Sequence, residues 1–331
     1  MESSTLPYCP LIDPVPDDRV RPFWSVMVPT YNGTAYLEQT LRSVLEQDPG
    51  AAVMHIEVID DCSTEDDPEP LVQLLGNGRI TFHRQLQNQG QIKTWNNCIQ
   101  RATGKWIHIL HQDDFVLPGF YQSLQVGLSQ DSTVGAAFCR HRYINEQDQT
   151  LFTSLLERES SGILADWLKQ IATMQRIQFP SIVVKREIYE QIGGFCPQAR
   201  SAADWEMWTR IAAYFSIWYE PQTLACFRLH SSSESSRLIK TGRNIADTRC
   251  AIEIAHSYLP RETAYMLTSK AKEYYAIDAF NRANKLRAIG DLRAAIAQLQ
   301  EGLKCQISPK TLKHLAHLTK QNVSRFLSSQ T

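Results

Sequence analysis

From Trp24 onward the chain alternates two apolar patterns. Trp24-Ser25-Val26-Met27-Val28-Pro29 is a short apolar run closed by proline and predicts a buried strand. Residues 35–47 follow with Tyr36, Leu37, Leu41, Val44 and Leu45 at helical spacing and Thr34 as candidate cap. The same alternation continues with a strand at 55–59, a short helix at 69–75 and a strand at 79–84. A helix at 91–102, closed by Thr103-Gly104, leads to a fourth strand at 106–110. Strand and helix in strict alternation predict a doubly wound α/β sheet.

Beyond residue 120 the pattern loosens. Residues 135–230 read as short strands mixed with helices: a strand at 179–184, a helix at 187–192 closed by Gly193-Gly194, and a helix at 203–214 with a dense aromatic face. From about residue 243 strand signals nearly vanish. Helices are expected near 244–258, 261–288, 291–304 and 309–328, punctuated by Gly290-Asp291 and Ser308-Pro309. At the other end Pro7, Pro10, Pro14, Pro16 and Pro22 exclude a regular helix or central strand. The division is therefore an irregular lead-in at 1–22, an α/β domain at 23–242 with halves at 23–120 and 121–242, and a helical region at 243–331.

Composition narrows the partners. The chain has 331 residues, 43% hydrophobic and 21% charged, with a formal net charge of −1. That balance argues against nucleic-acid binding by bulk electrostatics. The eight cysteines are scattered without a Cys-x-x-Cys pair, which fits reduced thiols better than a zinc site or disulfide framework. No apolar run reaches 18 residues, and the first 22 carry acids and prolines where a secretion signal needs a basic start and an apolar stretch. The expectation is a cytoplasmic protein, with docking at a membrane surface through a partner or lipid-linked acceptor left open.

In doubly wound sheets ligands bind beyond the carboxyl ends of the strands. Three polar clusters occupy those ends: Thr30-Tyr31-Asn32, Asp60-Asp61 and Asp113-Asp114. Adjacent carboxylates repel unless a cation or strong donors lie between them, so Asp113-Asp114 is a candidate site for a divalent metal bridging to a diphosphate. Alone, such a pair is more often a solvated turn; the strand before it places it at the binding edge. A carboxylate of Asp60-Asp61 can accept from a base N–H or a ribose hydroxyl, Tyr31 can stack on a base, and Ser63 and Thr64 are candidate caps for the next helix. Asp204 reads either as a first-turn helix residue or as a general base. His230 is a candidate metal or phosphate ligand, against a purely structural role. No phosphate loop, Gly-x-Gly-x-x-Gly or Gly-x-Ser-x-Gly motif is present.

Together these pieces resemble the inverting glycosyltransferase family 2, with its GT-A fold, over residues 23–235. The resemblance runs through Ser25-Val26-Met27-Val28-Pro29-Thr30-Tyr31-Asn32, Glu57-Val58-Ile59-Asp60-Asp61-Cys62-Ser63-Thr64, Asn88-Gln89-Gly90, Asn96 and Ala102-Thr103-Gly104-Lys105-Trp106. It continues through Gln112-Asp113-Asp114, Ile192-Gly193-Gly194-Phe195 and Ala203-Asp204-Trp205-Glu206-Met207-Trp208. It implies a mostly parallel central sheet flanked by helices, with the C-terminal helices as an appendage. It implies that Pro29, Thr30, Tyr31, Asn88, Lys93 and Asn96 contact the nucleotide sugar, and that Asp61 meets a uracil or thymine ring. Asp114 becomes the principal ligand of Mn²⁺ or Mg²⁺, Asp113 touches metal or ribose, His230 is a further metal ligand, and Asp204 is the base. The implied partners are a UDP- or dTDP-sugar and a glycan or lipid-linked acceptor, with no nucleic acid; the setting is synthesis of polysaccharide, glycolipid or cell-surface glycan. A homodimer through the helical tail is compatible with this. The alternative is a catalytically degenerate scaffold or a nucleotide-binding interaction protein acting through that tail. Two departures stand out. His111 replaces the acid that many members carry two positions before the pair, and Cys62 replaces a common glycine, so that turn is expected to need no positive φ.

Overall fold

The computed structural model describes residues 9–16, 20–231 and 233–328, with side chains through 320. The lead-in expected at 1–22 lies outside the described residues at 1–8 and 17–19; its described parts form neither helix nor strand. The elements of the first half are β1 (Trp24–Thr30), α1 (Thr34–Leu45), β2 (Met54–Asp60), α2 (Glu69–Gly76), β3 (Thr81–Arg84), α3 (Gln91–Arg101) and β4 (Trp106–Ile109). Then come β5 (Phe115–Val116), α4 (Phe120–Leu128), β6 (Val134–Ile144), β7 (Thr150–Thr153), β8 (Gly162–Ile163), α5 (Trp167–Ile171), β9 (Ile182–Lys185) and α6 (Arg186–Ile192). The rest is α7 (Ala203–Tyr214), β10 (Ser216–Arg228), α8 (Glu234–Thr241), α9 (Arg243–His256), α10 (Arg261–Ala288), α11 (Leu292–Cys305) and α12 (Pro309–Ser328).

One sheet runs β3-β2-β1-β4-β9-β6-β10-β5, with β7 on β6 and β8 on β10. β3, β2, β1 and β4 are mutually parallel. β9 is antiparallel to both β4 and β6, while β6 and β10 run parallel. This order explains the binding edge. The ends of β2, β1 and β4 are neighbours, so residues far apart in sequence, at 30, 60 and 111–114, emerge side by side. The face carrying Val26, Val28, Ile56 and Val58 packs on Leu37, Leu41 and Val44 of α1 in one buried cluster. Each such side chain contributes roughly 1.5–3 kcal/mol, which holds the strand ends in fixed register.

Several expectations change in the tertiary context. Thr34 does not cap α1; its backbone N–H and hydroxyl both donate to Asp66 Oδ2, at 2.8 Å each. Ser63 and Thr64 do not cap α2, whose first turn follows Pro68 without a side-chain cap. The strand expected at 179–184 opens as a 3₁₀ turn, Phe179–Ser181, because Pro180 fixes φ and offers no N–H to a ladder. β6 and β10 span 11 and 13 residues where short strands were expected. β10 is irregular against β6 between Glu220 and Ala225, which breaks the period that would have revealed its length.

The chain divides into two compact units. The first holds residues 1–167, 176–197 and 214–229, and so the whole sheet. The second holds 168–175, 198–213 and 230–331, so most of α7 belongs with the C-terminal helices. Its helices pack through α10 against α9, α11 and α12, with Ile245, Ala276, Ala279 and Cys305 forming a small buried cluster.

Candidate active site

The loop after β4 gathers His111, Asp113 and Asp114, with one potential ligand atom from each lying within 4.8 Å of the others. Asp114 is 1% exposed; its Oδ1 accepts the Arg228 backbone N–H at 2.9 Å, while Oδ2 is buried without a partner. Burial, reinforced by the Asp113 carboxylate, pushes the Asp114 carboxyl well above its ordinary range. His111 lies stacked on Trp95 and against Phe179, with ring centroids 5.4 and 4.3 Å away. Its Nε2 is buried and unpartnered, and burial lowers the imidazole to about 4, which keeps it neutral. Buried polar atoms without partners are costly and rare. One on the imidazole and one on the aspartate pair suit a cation, and an imidazole with two carboxylates is a donor set for Mn²⁺ or a similar divalent ion.

Arg228 holds this loop from behind. Its Nε donates to Asp113 O at 3.0 Å, its Nη1 to Asn145 O at 3.1 Å and to Asp148 at 2.6 Å, and its Nη2 to Gln39 Oε1 at 2.6 Å. The guanidinium also lies 4.3 Å over the Tyr36 ring. From α1, Thr40 Oγ1 is within donating distance of Gln112 O and Asp114 O, at 2.8 and 2.7 Å.

Gln112 joins the loop after β4 to the end of β1. Its Oε1 accepts from Thr30 Oγ1 at 2.6 Å and Tyr31 N at 2.8 Å, and its Nε2 donates to Tyr31 O at 3.3 Å. The amide occupies the space a side chain at Gly33 would need: a Cβ there would sit 2.0 Å from Gln112 Cδ. Pro29 and Thr30 are buried, whereas Tyr31 is 41% exposed.

The β2 end is wired differently. Asp60 Oδ1 accepts from Ser63 Oγ at 2.6 Å, and Arg84 Nε donates to Oδ2 at 2.7 Å. Asp61 Oδ1 accepts from Gln85 Nε2 and Gln89 N, both at 2.7 Å, and Oδ2 accepts Gly90 N at 2.9 Å. Asp61 therefore clamps the loop that carries Asn88, which is exposed, as is Lys93 in the first turn of α3. Asn96 spends its amide on both sides of one residue, accepting Phe195 N at 2.7 Å and donating to Phe195 O at 3.0 Å.

Cys62 corrects the expectation for its turn. It adopts φ 63° despite its Cβ, and Asn32 across the loop adopts φ 46°. A non-glycine left-handed residue costs on the order of 1–3 kcal/mol and persists where its surroundings over-determine it. Here Asn32 Oδ1 accepts both Thr64 N and Glu65 N, and Ser63 Oγ accepts Asn32 N, so the β1 and β2 loops lock each other.

In the second unit Asp204 sits in the first turn of α7. Its Oδ1 accepts Trp205 N at 2.6 Å and its Oδ2 accepts Gln175 Nε2 at 2.8 Å. Burial outweighs these donors and raises the carboxyl to about 6. His230 opens the last segment of this unit and is half-buried, and its carbonyl accepts Ser236 Oγ at 2.9 Å. Gln85 and Gln175 carry no role in the sequence pattern, and Gln112 enters it only as a neighbour of the aspartate pair. Gln112 had a signal, its place beside the aspartate pair; Gln175 had none, because only folding brings it to Asp204.

The sequence model of glycosyl transferase family 2 matches residues 25–197. A relative in Bacillus subtilis, provisionally named teichuronic acid biosynthesis glycosyltransferase TuaG, is 27% identical over 67% of this chain and 85% of its own. Among solved structures, Staphylococcus aureus TarS 1–349 in complex with UDP superposes with a TM-score of 0.63 at 16% identity, covering 88% of this chain and 82% of that one. A mannosyltransferase from Pyrobaculum calidifontis, in complex with GDP-Man and Mn²⁺, does so with a TM-score of 0.59 at 19% identity, covering 96% and 84%. At these identities the superpositions establish the fold, a GT-A-type sheet flanked by helices. Among the described residues no helix is long and apolar enough to cross a membrane.

Proposed function

The chain belongs to glycosyl transferase family 2, and on that premise we propose a metal-dependent transfer of a sugar from a nucleoside diphosphate to an acceptor hydroxyl, with inversion at the anomeric carbon. One observation carries the metal: His111, Asp113 and Asp114 converge within 4.8 Å, with His111 Nε2 and Asp114 Oδ2 buried and unpartnered. These three residues would hold a divalent ion, which when bound neutralises charge on the departing diphosphate.

The chain's own residues do the rest. Tyr31 offers a stacking face to the base, and Gln112 fixes that tyrosine's backbone relative to the metal loop. Asp61 orients the 85–90 loop, and Oδ2, with one donor among the described residues, can also accept a base N–H. Asp204 takes the acceptor's hydroxyl proton as the new oxygen–carbon bond forms and the anomeric carbon–phosphate oxygen bond breaks. An acidity near 6 suits a base that must be ionised at neutral pH yet hold a proton during attack. The complex of TarS with UDP supports a uridine donor, and the name of TuaG supports a surface polysaccharide as the product.

The test is release of nucleoside diphosphate from a panel of UDP-, dTDP- and GDP-sugars with Mn²⁺, water serving as acceptor. Turnover of one donor by the wild type, lost in Asp204→Asn, is expected. No turnover of any donor, together with no Mn²⁺-dependent nucleotide binding, would overturn the assignment in favour of a scaffold.

A further inference from the structure

The C-terminal helices carry no chemistry that their sequence reveals, yet α10 reaches the surroundings of Asp204. Tyr275, in the middle of α10, packs against the buried cluster of Ile245, Ala276, Ala279 and Cys305. Its hydroxyl oxygen accepts the Gln175 backbone N–H at 2.9 Å, and its ring meets that of Trp205 at 5.1 Å. Gln175 Nε2 then donates to Asp204 Oδ2. Trp205, whose N–H holds Oδ1, is itself anchored by its Nε1 donating to Ile171 O at 2.6 Å. Further ties bind α7 and the turn before it to the region of α9 and α10. Tyr258 Oη donates to Glu206 O at 3.1 Å, and Ser201 Oγ donates to Asp247 Oδ2 of α9 at 2.7 Å. All of these residues lie in the second unit.

We propose that the C-terminal helices are the positioning element of the base: Tyr275 fixes Gln175, and Gln175 fixes the carboxylate of Asp204. The proposal rests on the reading of Asp204 as the base. Its physical content is a fixed rotamer and a fixed acceptor. One oxygen is held by the backbone of α7 and the other by a side chain whose own backbone hangs on α10. A donor to a carboxylate favours its charged form, so Gln175 opposes the effect of burial. The ionisable groups on the elements packed there are Tyr275, with Tyr274 and Asp278 beside it on α10, and the Glu206–Arg210 pair on α7, bonded at 3.0 Å.

The experiment compares the full-length wild type with Gln175→Leu and Tyr275→Phe, each checked for folding by thermal melting. The ionisation of Asp204 is followed by carbon-13 NMR of its carboxyl, identified as the signal missing from Asp204→Asn. Hydrolysis of the best donor is measured in parallel across pH. The wild-type midpoint is expected near 6. Gln175→Leu should move it upward by roughly one pH unit, the worth of a hydrogen bond to a charged group. Tyr275→Phe should move it the same way but less. In both variants kcat should fall with KM for the donor unchanged. Folded variants whose midpoint and kcat match the wild type would overturn the proposal. Full turnover by Asp204→Asn would instead remove the base assignment, while the NMR midpoints would still report the positioning. If Gln175→Leu does not fold, Tyr275→Phe, which keeps the ring and removes only the oxygen, decides alone.

Discussion

The aspartate pair after β4 and Asp204 on α7 are both desolvated carboxylate sites, but they are finished to different degrees. In the first, Asp114 Oδ2 and His111 Nε2 are buried with no partner. In the second, both oxygens of Asp204 have donors at 2.6 and 2.8 Å. A buried acceptor without a partner is costly, and a bound cation would relieve that cost. A satisfied but desolvated carboxylate, raised to about 6, suits the exchange of a proton proposed for it. The contrast supports the proposed roles, cation binding for the aspartate pair and acid–base chemistry for Asp204.

The sharpest way to break this contrast is to neutralise the base. Asp204→Asn should lower kcat by about 10²–10⁴-fold, the usual contribution of a general base, and leave Mn²⁺-dependent nucleotide affinity near wild type. Comparable losses in both quantities would dissolve the distinction. Next in size, Asp114→Ala should weaken nucleotide binding in Mn²⁺, read by calorimetry, by more than the roughly 10–100-fold typical of outer-shell partners of a metal. An unchanged affinity would argue that the pair only builds the turn.

Smaller effects sharpen the comparison. Because burial raises Asp204 to about 6, kcat should fall tenfold per unit as pH drops below that value and level off above it. An acid limb near 4 would mean that the carboxyl is solvated during turnover. The smallest change is expected from His111→Gln, which removes an imidazole donor and keeps a polar side chain. It should reduce the preference for Mn²⁺ over Mg²⁺ by several-fold, since imidazole favours Mn²⁺ over the harder Mg²⁺. Equal selectivity in competition binding would place His111 among the packing residues, stacked on Trp95.

Much of the first half was legible in sequence because each strand or helix announces itself through its own period. The segments expected at 24–29, 55–59 and 106–110 appear as β1, β2 and β4, and their ends carry the polar clusters. The second half was less so. β6 and β10 form long strands whose pairing is interrupted by register shifts, and α8 was not expected at all. The turn at Cys62 shows the limit most clearly. Its residue type argues against φ 63°, and the lock between Asn32, Ser63, Thr64 and Glu65 imposes it.

The sequence by itself determined the alternation of strand and helix, and with it the edge at which Thr30, Asp61 and Asp113-Asp114 emerge. Those are local properties of period and punctuation, and a strand's end is fixed by the residues next to it. Only the tertiary structure decided which polar atoms have partners: that Asp114 Oδ2 has none, and that Asp204 is held by Gln175 and, through it, by Tyr275, which is 100 residues from Gln175 along the chain. Hydrogen bonding and desolvation depend on what lies across a few ångströms of space, which no spacing along the chain encodes.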